Sequence, residues 1–143
     1  MYDTIVVGAG PAGNIAALRL ASRGYTVAVH DWRHDIGDKL CTGIIGAECA
    51  DHFPPDESHI YQAASSATVV SPAGYRYRIA RDRPEAFIVD RVSYVNSIAK
   101  RAMDAGAEFH LGSRITRVDV GKTNVVVTTT RENGRSDRSL ARL

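Results

Sequence analysis

The 143 residues include 18 Lys and Arg against 16 Asp and Glu, a formal charge of +2. That length suits one domain with a real core, and the near balance of charge singles out no class of partner. Cys41 and Cys49, the only cysteines, are too few and wrongly spaced for a metal cluster or a disulfide framework.

No apolar run is long enough to cross a bilayer, which leaves peripheral membrane contact open. With no basic-apolar leader at the start, a reducing, cytoplasmic setting is the expectation.

The chain opens on a short apolar strand that runs straight into Gly8-Ala9-Gly10-Pro11-Ala12-Gly13. The Gly-x-Gly-x-x-Gly spacing after a strand is that of a turn built around a dinucleotide pyrophosphate. Gly8 allows a sharp exit from the strand, Gly10 leaves room for a phosphate, and Gly13 lets the next helix lie close to the sheet. Pro11 falls near the first helical position, where a missing N–H costs little. The unpaired amides and the dipole at that helix start then face the anion.

A helix is predicted from Ala12 to Arg23, with Ile15, Ala16, Leu18 and Leu20 on its buried face and Gly24 ending it. The strand Tyr25–His30 follows and finishes at Asp31, about 20 residues beyond the glycines, where a carboxylate accepts hydrogen bonds from an adenosine ribose. Read as structure alone, the glycines form a tight turn and Asp31 caps a loop. That account leaves the order of strand, glycines, helix, strand and acid unexplained. His30 is expected to be a surface residue or a neighbour of the adenine pocket, with no chemistry of its own.

Trp32 to Leu40 is polar and loop-like, and Cys41-Thr42-Gly43 begins a short helix that reaches roughly to Phe53 before Pro54 and Pro55 stop it. Residues 55–90 read as an inserted β-hairpin region. Within it Ala67–Val70 and Tyr75–Ile79 are joined by Ser71-Pro72-Ala73-Gly74. Tyr75, Tyr77 and Ile79 share one face, as in a half-buried strand, and Arg76 and Arg78 the other.

Ala86–Asp90 gives another strand, and Arg91 to Ala105 a helix that Asp90 or Ser93 caps and Gly106 ends. Glu108–Leu111 is the expected third parallel strand, and residues 114–130 a hairpin beside it. Arg131, Arg135, Arg138 and Arg142 lie in a polar tail, residues 131–143, expected to be frayed and solvated. Without aromatic interleaving or a recognition motif, that basic excess does not argue for nucleic acid. The fold class is α/β: a first βαβ unit with its following loop and helix (residues 1–54), the insertion, and a helix with further strands (residues 91–130).

Together these residues resemble FAD-dependent oxidoreductases of the glutathione-reductase type, in the branch shared by aromatic hydroxylases and geranylgeranyl reductases. Ile5 to Gly13, ending at Asp31, is similar to the Rossmann-like ADP-binding segment for FAD, with Asp31 where the family usually has Glu. Val89-Asp90-Arg91 is similar to the start of the second helix, and the resemblance puts Arg91 on the cofactor side; a structural ion pair is the plainer role. Cys41-Thr42-Gly43 lies where the hydroxylases commonly carry an arginine and the reductases a cysteine followed by glycine. The resemblance therefore implies a cofactor-side set of Gly8, Gly10, Pro11, Ala12, Gly13, Asp31, Trp32, Cys41, Thr42, Gly43 and Arg91, with Cys41 the one weak catalytic candidate.

In such an enzyme reduced FAD would reduce isolated C=C bonds of a polyprenyl lipid, with NAD(P)H or ferredoxin as electron donor. A flavin-dependent aromatic monooxygenase shares the same first unit. An inactive or nucleotide-binding module that needs a partner chain is a third reading. The Ala-Asp-Gly segment, substrate domain and C-terminal part of the family are expected after the last strand, so the chain reads as the truncated, N-terminal part of such a flavoprotein.

Overall fold

A computed structural model describes residues 1–142. Its strands and helices, in chain order, are β1 (Thr4–Val7), α1 (Pro11–Ala21), β2 (Val27–His30), β3 (Ile44–Gly46), α2 (Ala47–His52), β4 (Ile60–Ala64), β5 (Ser66–Val70), β6 (Arg76–Ala80), β7 (Ala86–Val89), α3 (Arg91–Asp104), β8 (Glu108–His110), β9 (Ser113–Val120), β10 (Asn124–Arg131) and β11 (Ser136–Arg142). Two units result, one of residues 1–38 with those from 95 onward, the other of residues 39–94; the division falls inside α3.

The first unit is built on a parallel sheet in the order β1-β2-β8. Parallel neighbours need a crossover, and α1 supplies the one between β1 and β2. Every residue of β2 is buried, as expected of a central strand covered on both faces, and this explains its unbroken Val27-Ala28-Val29 run. β8 joins on the far side, Ala28 opposite Glu108 and His30 opposite His110, so the expected third parallel strand is present.

Helix α1 is narrower in its burial than the sequence suggests. Asn14, Ala17 and Ala21 form the fully buried stripe, whereas Ala16 is exposed. Small side chains at that spacing let a helix lie close on a sheet, and bulkier Ile15, Leu18 and Leu20 are pushed to the margins. Gly24 adopts φ +85° just beyond the helix, as expected of a residue that ends one.

An antiparallel sheet in the order β11-β10-β9 completes the unit. The hairpin of residues 114–130 is thus present but extended by a third strand. β11 replaces the frayed tail expected of residues 131–143: it pairs with β10 from Asn124–Arg142 to Thr130–Ser136. The Tyr2 amide also donates to the Leu140 carbonyl at 2.8 Å, and Arg142 ion-pairs with Asp3 at 3.3 Å. Alternation of buried Ala141 with exposed arginines disguised this strand as a polar tail.

His30 corrects another expectation. It is 4% exposed, stacked on His110 with ring centroids 4.7 Å apart, and its Nδ1 lies 3.0 Å from Ser113 Oγ. Burial above all, with His110 and Arg131 adding like charge, lowers its pKa from 6.5 to about 4.

The second unit holds an antiparallel sheet in the order β3-β7-β4 and a separate hairpin, β5-β6. The helix expected to start at Cys41 starts only at Ala47; Ile44 and Ile45 instead pair with Ile88 and Phe87. β4 had no signal in the sequence. The hairpin has the expected register, Val69 opposite Tyr77 and Ala67 opposite Ile79, but both of its strands are exposed throughout, so Tyr77 and Ile79 do not make it half-buried. At the start of α3, Asp90 caps as expected, accepting the Ser93 amide at 3.1 Å.

Two outcomes are expected. A Cβ on Gly13 would sit 2.0 Å from the Gly8 carbonyl oxygen, so Gly13→Ala lowers unfolding free energy by about 2 kcal/mol or more in urea titrations. His30 stays neutral in the folded chain while the unfolded chain binds a proton below pH 6.5, so its contribution is complete above that pH and is lost as pH falls from 6.5 toward 4. Melting curves across that window are expected to fall more steeply for the wild type than for His30→Phe.

Candidate functional site

In the first unit the chain leaves β1, turns through the glycines and enters α1 beside the end of β2. Gly8 takes φ +103°, a torsion that costs residues with a Cβ, and its amide donates to the His30 carbonyl at 2.7 Å. Gly13 is the point of close approach, because α1 begins directly against the Gly8 carbonyl. Gly10 has open space where a side chain would be. It is also the N-cap of α1, with no side-chain cap, and Pro11 follows as the first helical residue.

The amides of Gly10, Ala12 and Gly13 make no hydrogen bond among the described residues; the first helical bond is Asn14 N–H to the Gly10 carbonyl, 2.9 Å. A helix start with three unpaired N–H groups and no acidic residue in its first turn presents the positive end of the helix dipole, a surface that favours negative charge. Pro11 and Ala12 are exposed on this edge.

Asp31 stands at the same place. Its Oδ2 accepts the Ala9 amide at 2.8 Å and its Oδ1 accepts the Arg33 amide at 2.8 Å. Each carboxylate oxygen has a second lone pair, so the group ties down the loop and still has acceptor capacity for two hydroxyls. Trp32, next in the chain, is half-exposed.

Asn14 belongs to this construction, and sequence reasoning missed it. Fully buried, it donates through Nδ2 to the carbonyls of Ala9 at 3.1 Å and Val95 at 3.4 Å. It thereby staples the glycine loop to the start of the α3 segment in the same unit. Its only sequence signal is a polar residue three before Ala17 in the buried stripe.

The second unit gathers the other expected residues. Gly43 takes φ +71°, and a Cβ there would meet the Val89 carbonyl oxygen at 2.6 Å. Glycine is required by the approach of β7, which the Val89 amide secures by donating to the Gly43 carbonyl at 2.9 Å. Arg91 donates to the Lys39 carbonyl at 2.6 Å. Cys41 is exposed, and its thiol is held below its ordinary pKa, chiefly by the Gly43 amide, with the Arg91 charge and Thr42 adding to the effect. Cys41, Thr42, Gly43 and Arg91 are therefore neighbours. Also within this unit, a cavity of about 480 Å³ is lined mainly by apolar side chains, among them Ile44, Ala67, Ile79, Ala86 and Ile88.

The chain matches the pyridine nucleotide-disulphide oxidoreductase family over residues 2–141. It is 29% identical over 129 residues to digeranylgeranylglycerophospholipid reductase 1 of Methanococcoides burtonii, across 87% of this chain and 32% of that protein. It is 38% identical over 127 residues to geranylgeranyl diphosphate reductase of Rhodobacter capsulatus, across 87% of this chain and 32% of that protein. In fold it is similar to the crystal structure of a geranylgeranyl bacteriochlorophyll reductase-like protein from Thermoplasma acidophilum, with a TM-score of 0.81 at 21% identity, over 99% of this chain and 36% of that one. The chain thus spans about a third of the length of the curated relatives it matches. With its family match running over nearly every residue, the chain belongs to the pyridine nucleotide-disulphide oxidoreductase family, among the FAD-binding oxidoreductases related to geranylgeranyl reductase-like proteins.

Proposed function

We infer that this chain holds FAD in an oxidoreductase that reduces C=C bonds of polyprenyl lipid chains. The observation that carries the cofactor half of this reading is the set of unpaired amides at Gly10, Ala12 and Gly13, open to the side where Gly10 has no Cβ, with Asp31 beside them. A diphosphate satisfies those amides and the helix dipole together, and ribose hydroxyls satisfy the remaining lone pairs of Asp31. The lipid half is supported by the two curated relatives, a digeranylgeranylglycerophospholipid reductase and a geranylgeranyl diphosphate reductase. The apolar cavity of the second unit, suited to an aliphatic chain, agrees with it.

When bound and reduced, FAD supplies the hydride for the double bond, and a proton completes the saturated product. This chain's own residues bind, orient and protect. Loop amides offset the diphosphate charge, and Asp31 orients the sugar. Cys41 is the weak candidate for a catalytic group, its thiolate stabilised chiefly by the Gly43 amide and also by Arg91. Electrons reach the cofactor from NAD(P)H or ferredoxin in this reading. No helix among the described residues is long and apolar enough to cross a membrane.

Gly10→Ala separates binding from folding. Its methyl group meets nothing in the protein, so stability is expected to change by less than about 1 kcal/mol, while FAD affinity measured by flavin fluorescence falls about tenfold or more. Unchanged affinity would place the diphosphate elsewhere. For the reaction, product analysis on the polypeptide containing this chain, supplied with reduced FAD, is expected to show saturated prenyl lipid; hydroxylated phenol from a phenolic substrate would contradict the reductase reading.

A further inference from the structure

In the second unit β4 runs into β5 at Ser65, and β6 returns into β7 through residues 81–85, so the two strand pairs make one continuous ribbon. The Arg81 amide donates to the Ser65 carbonyl at 2.8 Å and the Glu85 amide to the Ala64 carbonyl at 2.9 Å, which joins its halves. β4 and β7 share a sheet with β3, whereas β5 and β6 pair only with each other among the described residues and are exposed at every position. One face of this arm is apolar. Val69 stands opposite Tyr77 and Ala67 opposite Ile79, and Val69, Tyr75, Tyr77 and Ile79 are each more than half exposed. The other face carries Arg78 opposite Thr68 and Arg76 opposite Val70. Residues 66–81 hold three arginines and no Asp or Glu, and Arg76, Arg78 and Arg81 make no ion pair among the described residues.

An isolated two-stranded hairpin is marginal in water, and a contiguous exposed apolar face marks a surface of interaction. We propose that the β5-β6 arm docks the chain on the surface of a bilayer that contains anionic lipid. Three features select that occupant. The arm's charge is of one sign with no acid to neutralise it, which complements an anionic surface and repels the same arm of a second copy. Tyr75 and Tyr77 join an apolar ring to a polar tip, the combination favoured where hydrocarbon meets water. Val69 and Ile79 beside them are aliphatic, and a nucleic-acid backbone offers them no counterpart. Cationic and apolar groups lie on opposite faces, as in an element lying flat in the headgroup layer, with Tyr77 and Ile79 toward the acyl chains and Arg76 and Arg78 among the phosphates. Ala67 and Ile79 also line the apolar cavity, so docking this face brings the cavity beside the acyl chains. That last fit rests on the polyprenyl reading; the charge and the aromatic pattern stand without it.

Vesicle sedimentation tests the arm. Phosphatidylcholine vesicles with about 30% phosphatidylglycerol are expected to carry down the purified chain, pure phosphatidylcholine to bind it about tenfold or more weakly, and about 0.5 M salt to release it. Arg76→Gln with Arg78→Gln, and separately Tyr77→Ser with Ile79→Ser, each weaken binding to the anionic vesicles about tenfold or more. Both pairs keep the wild-type melting midpoint, because these side chains are exposed. Lys122→Gln with Arg138→Gln removes the same charge from the other unit and binds vesicles as the wild type does. The proposal is overturned if the chain does not bind the anionic vesicles, if both arm pairs bind them as the wild type does, or if the Lys122 and Arg138 pair weakens binding as much as the Arg76 and Arg78 pair. A dimer or a nucleic-acid complex that Tyr77→Ser with Ile79→Ser dissolves would also overturn it, giving the arm to that occupant. Sedimentation needs neither cofactor nor turnover, so a failure of the polyprenyl reading registers in product analysis and not here.

Discussion

The first unit depends on how closely its first helix approaches the strand that feeds it. The Gly8 carbonyl occupies the space where a side chain on residue 13 would begin, so the loop closes only with glycine there, and Gly8 itself sits at φ +103° to make the turn. That tight closure accompanies amides of Gly10, Ala12 and Gly13 that make no hydrogen bond among the described residues. A looser turn would let backbone or side chains pair them, and the proposed anion site would be lost. Asp31 and Asn14 hold the closure from either side, one through the Ala9 amide and the other through the Ala9 carbonyl.

In the proposed function Asp31 serves folding and binding together. Its two backbone bonds would stabilise the loop even without ligand, which is why a purely structural role cannot be read out of the sequence spacing alone. The same bonds pre-set the carboxylate, so a bound sugar meets an acceptor whose orientation costs no further ordering.

What the sequence revealed follows from what governs each segment locally. The glycine spacing, Gly24 and the Val27–Val29 run declare β1-α1-β2 because backbone torsion and full burial leave few residue choices there. Asp90 was legible as a cap for the same local reason. Elements decided by tertiary pairing were not: Ile44 and Ile45 form a strand only because β7 lies alongside, and β11 is held by β10 and by Tyr2 at the other end of the chain. His30 looked like a surface residue beside an acid, yet stacking on His110 and the bond to Ser113, both distant in sequence, bury it. In the site, the glycines and Asp31 were readable as a motif, whereas Asn14 required the fold to bring it to the loop.

The proposed function turns on recognition of a diphosphate by the loop amides. Equilibrium dialysis of the purified chain against FAD and, separately, against riboflavin, which carries the same ring system without phosphates, tests it most directly. Diphosphate recognition predicts stoichiometric FAD binding, with riboflavin weaker by about a hundredfold or more. Equal affinity for the two would show that the ring alone is recognised and that the amides of Gly10, Ala12 and Gly13 hold no diphosphate.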